Sequence, residues 1–165
     1  ESESRGLGDV YKRQAEASGA QGMCIGQALD IEAENRAVTL EELEEVHRNK
    51  TGALMKSAIR LGALAAGEKA FEVLPQLDKF ADAIGLAFQV QDDILDIIGD
   101  TETLGKPQGS DQDLNKSTYP SLLGLEGAQE KAQSLLQEAL QALAAIPYNT
   151  QLLEEFARYV IERKN

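Results

Sequence analysis

The 165-residue chain carries 28 acidic against 16 basic residues, a net charge of −12 that excludes a broad nucleic-acid-binding surface, because phosphate backbones are held by clustered Lys and Arg. With 42% hydrophobic and 27% charged residues the composition is that of one globular domain with a core, and no run approaches the ~18 apolar residues of a membrane span. A single cysteine, Cys24, excludes an internal disulfide and leaves a reducing, cytoplasmic setting as the expectation.

Aromatic residues are only 5% of the chain, while Ala, Leu, Glu and Gln are abundant; this is helix-forming material and predicts an all-α fold. Residues 1–13, "ESESRGLGDVYKR", show no periodicity and read as a non-family lead-in, an artefact or a disordered tail, so the domain is expected over residues 14–165. A glycine-interrupted helix follows through "QAEASGAQGMCIGQALDIEAE", where Gly22, Gly26 and Ala28 allow a neighbouring backbone to approach. Thr39 with Glu42 three residues later is a capping-box signature, and the helix it opens runs toward Gly67. Leu43, Val46, Leu54, Ile59, Leu61 and Leu64 supply its buried side, and Thr51-Gly52 marks a kink in its middle.

The next helix is predicted from about Lys69 to Ile98, with Pro75 able to split it near its start. On one side lie Ile84, Phe88, Gln91, Leu95 and Ile98; on another, Gly85, Gln89, Asp92, Asp93 and Asp96. A polar connection from Gly99 to Thr118 is longer than loops inside compact domains usually are, which points to function or disorder. Two helices, about Tyr119–Ile146 and Gln151–Arg163, complete the chain around "PYNT", with Pro120 at a first-turn position.

The stretch "FQVQDDILD" carries the chemistry. Residues four apart on a helix share a face, so Asp92 and Asp96 are expected to converge with Asp93 beside them, a repulsion that solvent, protonation or a cation must relieve. Magnesium suits such a site, since it takes oxygen ligands, keeps several waters and bridges one or two carboxylates to phosphates. Acidic triplets on helices are most often solvated faces. Gln89 on the same stripe, the apolar surroundings, the long loop downstream and its two lysines, Lys106 and Lys116, favour a phosphorylated ligand instead. A calcium loop through Asp111, Asp113 and Asn115 fails, because its sixth residue is Lys116 where Gly is needed and its twelfth is Leu122 rather than Glu. His47 and Cys24 read as structural, one histidine without a cysteine partner making neither a zinc site nor a nucleophilic pair.

Taken in order, "GMCIGQALDIEAE", "HRNKTGALMKSAIRLGA", "GLAFQVQDDILDIIGD", "TLGKPQGSDQDLNKSTYPSLLGLE" and "YVIERKN" resemble the C-terminal half of the bacterial farnesyl diphosphate synthases, trans-isoprenyl diphosphate synthases. The resemblance implies an all-α isoprenoid-synthase-type antiparallel helical bundle around a central cavity, of which this chain holds part. It implies a magnesium-dependent prenyl transfer: an allylic diphosphate (dimethylallyl or geranyl) ionises, isopentenyl diphosphate attacks the cation and a proton is lost. Asp92, Asp93 and Asp96 match the second aspartate-rich motif that binds magnesium, with Asp92 expected as the most direct metal ligand and Asp93 and Asp96 acting directly or through ordered water. Lys50 and Thr51 match a Lys-Thr pair at a helix kink, Lys50 holding the departing diphosphate and the carbonyl near Thr51 facing the cation; Gln89 is expected to serve that cation too. Lys106 and Lys116 match lysines that clamp the allylic diphosphate, Gln27 and Asp30 a Gln-x-x-Asp segment that orients Lys50, and Arg163 and Lys164 fall near the isopentenyl diphosphate entrance.

Two departures stand out. Asn115 precedes Lys116 where the family usually has glycine, and the first aspartate-rich motif, with the basic residues that bind isopentenyl diphosphate, belongs to an N-terminal half for which nothing here substitutes. The expectation is a fragment of a homodimeric farnesyl-type synthase, inactive by itself. A geranyl or longer-chain synthase, and a non-catalytic helical module that binds magnesium diphosphate or dimerises, remain as alternatives.

Overall fold

The computed structural model describes residues 2–98 and 116–163. Lys106, Lys164 and the rejected calcium-loop positions Asp111, Asp113 and Asn115 lie outside the described residues. Among those described there is no strand, as the composition predicts.

Helix α1 spans Ser2–Ser18, so the segment set aside as aperiodic is helical rather than structureless. The glycine-interrupted helix breaks at residues 19–22, and α2 takes up Met23–Ala33. Helix α3, Leu40–His47, opens on the full capping box: Glu42 N–H donates to Thr39 Oγ1 at 3.2 Å and Thr39 N–H to Glu42 Oε2 at 2.7 Å. The kink predicted at Thr51-Gly52 is a π-helical turn over Arg48–Gly52, which leads into α4, Ala53–Ala66. Gly67, at φ 87°, takes the left-handed conformation that stops α4.

A short α5, Glu68–Glu72, is separated by Val73 from α6, Leu74–Ile98, and Pro75 sits in the first turn of α6, where its missing N–H costs nothing. Helix α7 covers Tyr119–Ala144, opening on a Thr118–Ser121 capping box and interrupted by Gly124 at φ 75° and ψ 164°. Helix α8 is Gln151–Glu162.

The core is built where α6 lies along α7. Phe80, Ile84, Ala87, Val90 and Ile94 on α6 meet a stripe of Ala128, Ala132, Leu135, Ala139 and Leu143 on α7. Phe80, Ala87, Val90, Ala128, Ala139 and Leu143 are fully excluded from solvent. Each large side chain buried there contributes about 1.5–3 kcal/mol relative to exposure. Helix α4 is tied to α6 by ion pairs instead: Arg60 makes a bidentate pair with Asp78 at 2.7 and 2.6 Å, and Lys56 reaches Asp82 at 2.7 Å. Leu54, expected inside, is 36% exposed because the π turn rotates the start of α4 relative to α3.

Two glycines bring backbones together at the π turn. A Cβ on Gly26 of α2 would lie 2.5 Å from Lys50 Cα and 2.7 Å from the Asn49 carbonyl carbon, and closer still to Lys50 N. A Cβ on Gly85 of α6 would lie 3.2 Å from Gly52 Cα. The π turn that carries Lys50 is therefore wedged, main chain to main chain, between two helices.

Candidate functional site

A cavity of about 180 Å³ opens beside the π turn. Its described lining joins Asp30 of α2, His47 and Lys50 around the turn, Gln89, Asp92 and Asp93 of α6, and Lys116 just before α7. Of the residues singled out in the sequence, Asp30, Lys50, Gln89, Asp92, Asp93 and Lys116 thus share one wall, drawn from segments up to 86 positions apart.

Asp30 gathers the positive charge. Lys50 Nζ donates to its Oδ2 at 2.7 Å, and Lys116 Nζ stands 3.8 Å from the same oxygen. Burial alone would raise the Asp30 carboxyl, but the hydrogen bond and charge of Lys50, followed by the charges of Lys116 and His47, hold it below the ordinary carboxylate range. Two ammonium groups thus converge on one carboxylate, while Glu34, Asp92 and Asp93 carry the remaining charge of the lining. Gln27, a turn before Asp30 and expected to help orient Lys50, is exposed and lies outside the described lining; Thr51 is on the π turn but also outside it.

The aspartates divide by burial. Asp92 is 47% exposed at its side chain and faces the cavity. Asp93 is buried, and its Oδ2 accepts the backbone N–H of Tyr119 at 2.9 Å, satisfying an orphan donor in the first turn of α7. Asp96 is 2% exposed and is not in the described lining. Among the described residues no group of three His, Cys, Asp or Glu side chains is placed to hold one ion. Helical spacing puts residues on a common face, but the packing of α7 against that face takes up Asp93. Asp92 is the more exposed of the two aspartates of α6 that line the cavity, and magnesium commonly takes only one or two protein carboxylates beside phosphate oxygens.

Arg163 closes the far side of the aspartate helix. Its guanidinium lies 4.2 Å from the Phe88 ring centroid, and Nη2 stands 3.4 Å from both Asp92 Oδ1 and the Phe88 carbonyl. Gln91 Nε2 donates to the Arg163 carbonyl at 3.4 Å. The end of α8 is thereby tied to the same carboxylate that faces the cavity.

His47, read from the sequence as structural, lines the cavity. Its ring stacks on Tyr119 with centroids 5.8 Å apart and planes 18° apart, and neither ring nitrogen has a hydrogen-bond partner. Burial pulls its pKa down to about 4, against the pull of Asp30 and with the opposing charge of Lys50. Burial likewise raises the Tyr119 hydroxyl far above its ordinary value. The signal in the sequence was spacing: His47 precedes Lys50 by three residues, one helical turn.

Residues 9–155 match the family described as polyprenyl synthetase. Over 152 residues the chain is 59% identical to the farnesyl diphosphate synthase of Escherichia coli, covering 90% of this chain and 51% of that protein. It is 52% identical over 152 residues to the farnesyl diphosphate synthase of Haemophilus influenzae, covering 92% of this chain and 51% of that protein. The fold is similar to a Helicobacter pylori geranyltransferase solved with magnesium and isoprenyl diphosphate, with a TM-score of 0.82 and 36% identity, over 96% of this chain and 52% of that one. The chain spans about half the length of the curated relatives it matches.

Proposed function

The chain belongs to the polyprenyl synthetase family, and from that premise we propose that it forms one wall of the site at which a farnesyl-type synthase condenses isopentenyl diphosphate with dimethylallyl or geranyl diphosphate. The observation that carries the reading is Asp30 holding Lys50 at 2.7 Å and Lys116 at 3.8 Å in the cavity that Asp92 also lines. In the all-α bundle the same wall offers both halves of a diphosphate site, ammonium groups for the phosphate oxygens and a carboxylate for a cation.

In this reading Asp92 holds magnesium, which when bound neutralises charge developing on the leaving diphosphate. Asp93 and Asp96 act behind it, Asp93 by fixing the start of α7. Lys50 and Lys116 turn from Asp30 toward the diphosphate and stabilise it as the carbon–oxygen bond breaks, the kind of preorganised electrostatic help that lowers such barriers most. Lys106 joins them as a second clamp from the loop. Gln89 and the backbone at Thr51 present oxygen dipoles to the allylic cation, and Gln27 with Asp30 keeps Lys50 aimed. The farnesyl product is favoured over geranyl or longer products by the 59% and 52% identity to two farnesyl diphosphate synthases.

The reading also includes a cytoplasmic homodimer. No described helix is long and apolar enough to cross a membrane, and exposed apolar side chains such as Ile31 at 57% and Met23 at 37% on α2 offer surface for association. Light scattering that finds only monomers at micromolar concentration would remove the dimer from the proposal.

Calorimetric titration with geranyl diphosphate tests the site. The expected result is magnesium-dependent binding that Asp92→Ala, Lys50→Ala and Lys116→Ala each weaken; binding that ignores magnesium and all three substitutions would refute it. Since these 165 residues hold one aspartate-rich stretch, the purified chain by itself is expected to make no condensation product, and steady magnesium-dependent turnover would overturn that part.

A further inference from the structure

The cavity holds one group that the proposed reaction leaves unused. His47 is the only histidine in the chain, sits one turn before Lys50 and lines the same wall as Gln89, Asp92 and Lys116. Both of its ring nitrogens are buried and unpartnered. Gln89 is near enough to bias the ring toward its charged form but closes no hydrogen bond with it. Buried polar atoms are almost always satisfied, and each left unpaired is a standing cost, so an unpaired imidazole at a cavity wall calls for a ligand.

The ring's stacking on Tyr119 fixes its orientation, and Tyr119 is in turn fixed through its N–H to Asp93. With its pKa near 4 the imidazole is neutral at pH 7 and carries one N–H and one lone pair. Asp30, Glu34, Asp92 and Asp93 line the cavity with it as carboxylates and Lys50 and Lys116 as ammonium groups, so a neutral donor shares the lining with the two cations that would draw an anion. A neutral donor adds a directed hydrogen bond without adding a third charge that the bound state must desolvate.

We propose that His47 is a direct diphosphate ligand, donating its ring N–H to a phosphate oxygen held by Lys50 and Lys116. The inference rests on the diphosphate-binding reading of the cavity and names as ligand a residue to which the sequence reading gave no binding role.

The test uses the 165-residue chain, untagged, with inorganic diphosphate and magnesium as the probe. Because there is one histidine, a ¹⁵N spectrum of the imidazole needs no assignment. Adding the probe should move one ring nitrogen toward the hydrogen-bonded donor position while the ring stays neutral. His47→Phe, which keeps the stack on Tyr119, should weaken binding roughly 10-fold, the measure of one hydrogen bond to a charged group. Lys50→Ala is titrated alongside. If Lys50→Ala weakens binding but the spectrum is unmoved and His47→Phe binds as the parent does, the His47 assignment is wrong and the diphosphate reading stands. If the parent chain does not bind the probe at all, both fall together. The spectrum of the parent chain decides the matter even where His47→Phe fails to fold.

Discussion

Replacing Gly26 with alanine opposes two effects whose sizes can be compared. On an unhindered helical position alanine stabilises by about 0.8–1.0 kcal/mol over glycine. Gly62 of α4 is such a position, exposed and with nothing within 4 Å of a built Cβ, so Gly62→Ala should stabilise by about that amount. At Gly26 the new methyl would be 2.5 Å from Lys50 Cα, about 1 Å inside the 3.5 Å at which carbon atoms settle, and its obstacle is backbone that cannot rotate away. Forcing α2 off the π turn costs about 1–3 kcal/mol as overpacking. The same movement stretches the 2.7 Å Asp30–Lys50 bond one turn further along α2, adding up to about 1 kcal/mol for a partly exposed pair. The net expectation is a loss of about 1–3 kcal/mol, a thermal midpoint lower by about 2–4 °C for each kcal/mol in a domain of this size. Urea and thermal unfolding followed by circular dichroism read both variants. If Gly26→Ala rises together with Gly62→Ala, the close approach of α2 to Lys50 is wrong and the reasoning from it collapses.

Three further outcomes are expected. Asp93→Ala should destabilise the fold by about 1–3 kcal/mol by leaving the Tyr119 N–H buried without an acceptor, whereas Asp92→Ala, at a half-exposed site, should leave the unfolding midpoint within about 0.5 kcal/mol of the parent; equal losses would reject the division of labour between them. Because His47 has a folded pKa near 4 against 6.5 unfolded, the unfolded chain binds more protons between those values, so stability falls as pH drops from about 6.5 toward 4, by up to about 3 kcal/mol; His47→Phe should remove that increment from the pH profile of unfolding. Asp78 is held below its ordinary pKa by the Arg60 hydrogen bonds, against burial, so its contribution is present above about pH 4 and lost as pH falls through the depressed value. Asp78→Asn should cost about 1 kcal/mol at pH 7 and less in acid; a cost that grows in acid would contradict the pairing.

How much of this was legible in the sequence follows from how local each cause is. The Thr39 capping box, the Gly67 stop, the kink at Thr51-Gly52 and Pro75 at a helix start depend on a few neighbouring residues, and each was readable as such. The helix α1 was missed because its sequence lacks an apolar period. The link of Asp30 to Lys50 came from the family resemblance rather than from local pattern, and the two side chains meet at 2.7 Å. For the aspartates, a helical wheel places Asp92, Asp93 and Asp96 together but cannot show that α7 presents a backbone N–H to Asp93 from 26 residues away. His47 was read as structural for want of a cysteine partner, and its stack on the ring at position 119 and its place in a cavity built from four segments are long-range features. Long-range neighbours of this kind leave no mark in local pattern.

The alanine stripe of α7 sets how this part of the chain can vary over time. Ala128, Ala132 and Ala139 lie against α6 at 0–2% exposure, already near the lower bound of side-chain volume. Any replacement larger than serine adds volume to a packed interface, and the one smaller choice, glycine, gives up about 1 kcal/mol of helix propensity. Neutral drift is therefore nearly closed at these positions, whereas Leu135 and Leu136 can exchange with methionine or isoleucine of similar bulk. Natural variation along α7 should alternate between frozen small residues and interchangeable large ones, with a period set by the helix rather than by the chemistry of the cavity.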